Sequence, residues 1–555
     1  MAASDANMTE LRPPTGPRQP TRQEVRRYYW GLPSQPLLIA RSSTTPWDMP
    51  RYYKSLIPAG RHDALAAAWQ CPLKSRIISC LDGKAIRWLS FFPIKIGDFE
   101  DQHTQSLVLL ISVDEEHMPQ WNFGINNVEC EMMATSWFPL TNPEAPAKLE
   151  ALNAKHAERT TVDFSKFIPF PGAAIDSADN TRNSTDTLGL TVRITKRPTE
   201  LWLSKWQFMT KQEREVVSPG LIETEDVSFI AALTCNHCVQ SRSKSEFDPV
   251  TMRYDVHLPS AKYLHEWIEK IDHSIAEQSD RIVRLEDGLR KAGWSDSEEH
   301  QACVPMEPRI RRFKFQTQIA KAALSINSIL RDYTRPFEPR SVRTLGRVLY
   351  TPPIGLDEGR KTISDWALLE IFEDKVEAGH QWNLIPLFWD NVVGMATLKA
   401  VDPTLHKKSS MQLQSSILPK SELRRGIMAE HDSLLSRNPE SRQYVLGKYG
   451  AATGLTFGYC NDFKAVTRRP VGPEHISEEY FIVGLPDDQL NSDKATRFSK
   501  RGDSGAVVWN LDGRPVGMLT SGEGYDGVSD ITYMTHLEGV FGMMADRGFE
   551  ISIVD

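Results

Sequence analysis

No stretch of this sequence reaches the roughly 18 to 20 consecutive apolar residues that a membrane-spanning helix requires, so no membrane partner is expected. The opening segment, MAASDANMTELRPPTGPRQPTRQEVRRYYW, lacks the apolar core of a secretory signal. Basic residues are in deficit: 65 Lys and Arg against 72 Asp and Glu leave a net charge of −7. That balance argues against a nucleic-acid partner, because phosphate affinity needs a basic surface. Cysteine is sparse. The seven cysteines (Cys71, Cys80, Cys130, Cys235, Cys238, Cys303, Cys460) are odd in number and scattered, which is no disulfide framework. They suit a reducing compartment, and the protein is expected to be intracellular and cytoplasmic. Asn183 lies in an N-x-[ST] sequon, which means nothing without secretion.

What is present is an ordinary globular composition, 40% hydrophobic and 25% charged, over 555 residues, enough for several domains. Residues 1–30 are rich in Pro, Arg and Thr and are expected to form a disordered tail. Residues 31–140 have an α/β pattern. SLVLLISV at 106–113 is a continuous apolar run of buried-strand length, Cys130 and Met132 alternate with acidic neighbours, and Leu73, Ile77 and Leu81 share one helix face. No catalytic constellation stands out there, and a structural or partner-binding role is expected. Residues 141–186, rich in Pro, Asn, Ser, Asp and Ala, have the composition of a linker.

From 187 to about 550 short strands alternate with turns, as in an all-β barrel or sandwich. WALLEIF (366–372), YVLG (444–447), YFIVGL (480–485), AVVW (506–509) and PVGMLT (515–520) are the clearest, with a hairpin turn expected at Asn510–Gly513. A helical hairpin interrupts them at about 260–332. Leu264, Ile268, Ile271, Ile275, Ile282, Leu285 and Leu289 give its first helix a 4-3 apolar seam; Phe313, Ile319, Leu324 and Ile329 mark the second. Packing of the two helices on each other accounts for the pattern, and self-association through the hairpin is the alternative.

Three segments carry chemistry. Gly502-Asp503-Ser504-Gly505 sets a serine between glycines, where a tight turn exposes the hydroxyl and lets backbone N–H groups converge as an oxyanion hole. A serine nucleophile needs a histidine base oriented by a carboxylate. Ile230–Val239 is an apolar strand that ends at His237, and in Ile363–Ile371 Asp365 opens another apolar strand.

These segments resemble the LTAAHC, DIALL and GDSG signatures of the chymotrypsin-like serine proteases, in the same order, over about residues 187–545 less the hairpin. Lys448-Tyr-Gly-Ala-Ala-Thr-Gly-Leu-Thr-Phe-Gly458 is similar to the glycine-rich hairpin that opens the family's second barrel, and Gly517–Gly522 to the strand along which substrate backbone lies. The layout, an α/β leader before a divergent trypsin-like region, also resembles large proteins of filamentous fungi. The expected architecture is therefore multidomain, an N-terminal α/β domain followed by an all-β double barrel that carries the helical hairpin. The resemblance implies a serine endopeptidase acting on protein or peptide substrates through an acyl-enzyme. His237, Asp365 and Ser504 would be catalytic, Gly502 and Ser504 would donate the oxyanion-hole N–H groups, and Phe498, Thr520, Ser521 and Gly522 would bind substrate. The alternatives are a catalytically weak or inactive pseudoprotease serving as a protein-binding scaffold, and proteolysis restricted to one self-cleavage event that leaves a stable two-part product.

The chain departs from secreted members in three ways. Cys238 stands where a disulfide cysteine is usual, yet 212–227 offers no partner. No Ile-Val-Gly-Gly start lies near 188 to pair with Asp503, which is expected to face solvent or to find local hydrogen-bond donors. No acidic residue marks the base of a specificity pocket. No cofactor or metal is expected: Cys235-x-x-Cys238 has only His237 beside it and no second pair, whereas structural zinc takes four ligands. Gly522-x-Gly524-x-x-Gly527 matches a dinucleotide fingerprint but is followed by strand pattern, and Arg501-Gly502-Asp503 is an accidental tripeptide.

Overall fold

In the computed structural model the described residues are 20–43, 47, 54–60, 62–98, 102–114, 129–139, 170–171, 173–177, 186–196, 228–239, 254–292, 308–376, 379–387, 399, 402–423, 445–469, 475–485, 497–525 and 528–555. Strands dominate them. The principal ones are β1 (Leu37–Arg41), β2 (Trp88–Gly97), β3 (Ser106–Asp114) and β4 (Glu129–Pro139) early in the chain. In the middle come β5 (Thr191–Lys196), β6 (Phe229–Thr234), β7 (Thr344–Tyr350) and β8 (Ala367–Ile371). The last part adds β9 (Val445–Gly450), β10 (Gly454–Cys460), β11 (Ala465–Arg469), β12 (His475–Gly484), β13 (Val507–Asn510), β14 (Pro515–Gly524) and β15 (Ile531–His536).

These strands fall into two main sheets. Within a 12-stranded sheet, β9, β10, β12, β15, β14 and β13 pair in succession and β13 pairs back to β9. That ring closes on itself. β11 pairs with both β12 and β2, so β1–β4 belong to the same sheet. β4 touches the ring a second time, antiparallel to the end of β14. The other sheet has 8 strands, in the order Glu550–Ile553, β5, β6, β8, β7, Asp255–His257, Ala174–Ser177 and Asp186–Thr187.

The two sheets share a core. Leu233, Trp366 and Leu368 from the 8-stranded sheet pack in one cluster with Phe457, Trp509 and Met518 from the ring, all at or near zero exposure. Gly447 is where Trp509 enters: a side-chain carbon there would lie 2.4 Å from the indole ring. The expected turn is present too, with the Gly513 N–H donating to the Asn510 carbonyl at 2.8 Å and Gly513 at φ +81.

The hairpin consists of helices Ala261–Lys291 and Pro308–Thr334, the first capped by Ser260 Oγ accepting from Tyr263 N. Leu264, Ile271, Ile282, Leu285 and Leu289 are buried, as their spacing predicts. In the second helix Phe313 and Leu324 pack against Ile282, Leu285 and Ala320 as expected, but Ile319 and Ile329 do not. Ala320 and Leu330 are buried, while Ile319 and Ile329 are 47% and 62% exposed, along with Phe315 and Ile326. The reason is polar: Thr317 and Asn327 sit on the inner face, Asn327 Nδ2 donating to Ser274 Oγ at 2.8 Å, so apolar spacing alone misplaces the seam.

Two other expectations change. Residues 1–19 lie outside the described residues, but the tail read as extending to 30 carries a helix, Arg22–Arg27. A capping box of Thr21 and Glu24 starts it, and buried Glu24 accepts from Arg41 Nε at 2.7 Å. Most of the 141–186 segment, Asn183 included, also lies outside, yet Ala174–Ser177 is a strand of the 8-stranded sheet. Among the described residues no helix is long and apolar enough to cross a membrane.

Candidate active site

His237 and Asp365 come together because their strands are neighbours. β6 and β8 pair antiparallel, with Thr234 opposite Ala367, so the residues just beyond each strand's end emerge side by side. Asn236–Val239 forms one helical turn after β6, within which His237 N donates to Asp365 Oδ1 at 3.2 Å. The imidazole Nδ1 is 2.6 Å from Asp365 Oδ2. Ser504, on the turn before β13, approaches from the ring, its Oγ 2.9 Å from His237 Nε2. With Nδ1–H directed at the carboxylate, Nε2 presents its lone pair to the serine hydroxyl. Asp365 and Ser504 are buried, and the His237 side chain is 14% exposed. Burial opposes charge on His237, but the Asp365 carboxylate and the Cys238 sulfur together outweigh it and hold the imidazole well above its usual range.

The serine turn is fixed from both sheets. Gly502 and Gly505 adopt φ +102 and +87, in the left-handed region that favours glycine. A side-chain carbon on Gly505 would lie 2.3 Å from Thr234 Oγ1. Thr187 ties the turn to the 8-stranded sheet: its N–H donates to the Ser504 carbonyl at 3.1 Å and its hydroxyl to the Gly502 carbonyl at 2.7 Å.

Of the two courses expected for Asp503, solvent or hydrogen-bond donors, the structure shows the second, and adds an ion-pair partner. Asp503 is fully buried and paired with Lys448 Nζ at 3.1 Å, itself fully buried. Oδ1 accepts from the N–H groups of Ala452 (2.9 Å) and Thr453 (3.1 Å). Oδ2 accepts from Thr453 Oγ1 (2.7 Å) and Lys500 N (3.0 Å) besides the ammonium. Gly450 makes room for this pair, because a side-chain carbon there would lie 2.2 Å from Asp503 Oδ1 and 2.9 Å from Lys448 Nζ. Burial pulls the Lys448 ammonium down from its usual range, against the Asp503 carboxylate, which raises it. The sequence held a signal for this partner: a lone lysine inside the apolar strand that opens the glycine-rich hairpin.

The substrate-binding candidates lie along β14 and beneath it. Thr520, Ser521 and Gly522 are successive β14 residues, and the Thr520 carbonyl is 3.4 Å from Ser504 Oγ. Phe498 is buried in a cluster with Leu446, Val508 and Leu519, its ring centroid 6.0 Å from Lys448 Nζ. Cys235, His237 and Cys238 bring ligand atoms within 4.8 Å of one another. Both imidazole nitrogens already face Asp365 and Ser504, and the thiols donate to the carbonyls of Leu519 (3.0 Å) and Ser504 (3.7 Å). A metal there would have to break one imidazole contact and both thiol contacts.

Removing one partner of a buried ion pair leaves an uncompensated charge, a loss of about 3–5 kcal/mol. Lys448→Met is therefore expected to lower stability to urea by about that amount, and the double variant Lys448→Met/Asp503→Asn to recover much of it. A single variant as stable as the parent would mean that the pair does not hold this turn.

No family model matches the chain, and no curated protein matches it. Three solved structures are similar over part of it. A glutamic acid specific serine protease, whose histidine triad serves substrate binding, is 10% identical, with 38% of this chain and 74% of that one covered and a TM-score of 0.22. Thermobifida fusca protease A is 12% identical over 38% of this chain and 75% of its own, with a TM-score of 0.21. Cellulomonas bogoriensis chymotrypsin is 12% identical over 34% and 69%, with a TM-score of 0.19. Likenesses at such TM-scores carry no argument, and the geometry of the site stands by itself.

Proposed function

We propose that this protein is a serine endopeptidase, with Ser504 as nucleophile, His237 as general base and acid, and Asp365 as the group that orients the imidazole. The observation that carries this reading is the contact chain Asp365–His237–Ser504, with steps of 2.6 and 2.9 Å between two buried residues and a mostly buried histidine. In this reading Ser504 Oγ attacks the scissile carbonyl while His237 takes its proton, and His237 then protonates the leaving amine. Water hydrolyses the resulting ester, and the N–H groups of Gly502 and Ser504 bind the oxyanion. The closed ring and the 8-stranded sheet are the two halves of a chymotrypsin-like double barrel, with the site at their junction. Free thiols at Cys80, Cys130, Cys235, Cys238 and Cys460 support an intracellular setting. The scaffold alternative would leave the aligned contacts among Asp365, His237 and Ser504 without use.

Hydrolysis of casein tests the assignment. Ser504→Ala is expected to lose about a millionfold in kcat, with the fold kept, and undiminished turnover would remove Ser504 from the reaction.

The base must be neutral to act, and its pKa is raised. The rate is therefore low where His237 is protonated and rises with pH through an apparent pKa above the ordinary histidine range. Asp365→Asn removes the carboxylate that holds the cation, so the limb moves to lower pH while kcat falls by about ten-thousandfold. A limb that stays in place in this variant would dissociate Asp365 from the base.

A further inference from the structure

Beside the nucleophile both edges of β14 are already taken. β15 holds one edge from Gly517 to Glu523. On the other, β13 takes Pro515 to Met518, and Gly505 and Ala506 bond to the Leu519 backbone. The Thr520 carbonyl then faces Ser504 Oγ at 3.4 Å. Next along this edge, Ser521, Gly522, Glu523 and Gly524 pair antiparallel with Pro139, Phe138, Trp137 and Ser136 of β4. β13, the serine turn and β4 thus share one edge in succession.

An extended peptide binds a sheet by adding to its edge, where main-chain groups supply the hydrogen bonds. The protease reading lays substrate along Thr520–Gly522, on the edge that faces Ser504. β4 runs from Ser136, opposite Gly524, to Pro139, opposite Ser521, and so advances towards the nucleophile. Alternation sets which backbone groups meet it. The Glu523 carbonyl accepts from Asp530 N at 2.9 Å on the β15 side, so Gly522 and Gly524 turn their backbone groups to β4. Ser136 Oγ adds a bond to the Gly524 carbonyl at 3.3 Å.

The root of β4 is held more firmly than its tip. Glu129–Thr135 is parallel to β3, and Glu131–Ala134 is antiparallel to β1. At the junction Glu523, fully buried, accepts from Thr135 Oγ1 (3.1 Å), Ser90 Oγ (3.2 Å) and Tyr533 Oη (2.7 Å). Beyond Thr135 the β3 and β1 partners end, and among the described strands Ser136–Pro139 pairs with β14 alone. The tip can lift while the root stays in the sheet.

We propose that Ser136–Pro139 is an inhibitory strand, which competes in cis with the backbone of an extended substrate for the edge of β14. This rests on the protease reading and concerns the regulation of that site. Asp365, His237 and Ser504 are already in contact, so the strand controls access and leaves the chemistry intact. Competition within the chain lowers the fraction of enzyme able to bind, which raises KM by the inverse of that fraction and leaves kcat unchanged. A reagent that reaches Ser504 without pairing to β14 escapes it.

Two measurements on the purified full chain test this: labelling of Ser504 by a small alkyl fluorophosphonate, and kcat and KM for casein. Phe138→Pro removes the N–H that faces Gly522, and loss of one such hydrogen bond is expected to lower KM about fivefold. Ser136→Ala removes only the bond to the Gly524 carbonyl and is expected to lower KM at least about twofold. In both, kcat and the labelling rate are expected to stay as in wild type. If Phe138→Pro is no longer labelled, it has lost its fold and Ser136→Ala decides. A KM that is unchanged or raised in the labelled variants overturns this inference and leaves the protease reading standing. A wild-type chain that is neither labelled at Ser504 nor active on casein overturns both.

Discussion

The arrangement around Ser504 depends on a carboxylate and an ammonium buried together. Asp503 and Lys448 are both at zero side-chain exposure, 3.1 Å apart. Two isolated charges in such a place would be prohibitive; paired, and with the remaining carboxylate lone pairs met by Ala452, Thr453 and Lys500, they are tolerable. Their value lies in position more than in net stability. The pair pins the turn before β13 onto the hairpin of β9 and β10, and the neighbouring Ser504 inherits that placement. Because the cation comes from within the strand, ordering this turn takes no newly cut terminus.

The site itself lies where two sheets meet. One supplies His237 and Asp365 from the ends of adjacent strands, the other supplies Ser504 from a glycine turn, and Thr187 bridges them. Neither sheet holds the three groups alone, so their spacing depends on the shared core around Trp366 and Trp509. The β1–β4 strands extend the ring's sheet, and β4 pairs with Ser521–Gly524 of β14, next to the turn that carries Ser504.

How much of this was legible in the sequence follows from how local each feature is. Ser504, His237 and Asp365 stand in short motifs whose strand or turn context is carried by adjacent residues, and the structure brings them within hydrogen-bonding distance. Lys448 stands in the glycine-rich segment, but its partner lies 55 residues away, and only three-dimensional proximity identifies it. The pairing of Trp137 with Glu523 is more distant still and leaves no local pattern. On the second hairpin helix Phe313 and Leu324 follow the apolar pattern inward, whereas Thr317 and Asn327 take inner places that apolar counting gives to Ile319 and Ile329. The Thr21–Glu24 capping box was visible in the sequence, but the low apolar content around it outweighed that signal.

The central claim is that Ser504 is a nucleophile activated by His237. Reaction of the native full-length protein with a fluorophosphonate probe, mapped by peptide mass spectrometry, tests it most directly. The account predicts a covalent adduct on Ser504, formed rapidly by wild type and suppressed in His237→Ala. No adduct on Ser504, or an adduct that forms equally fast without the histidine, would contradict it.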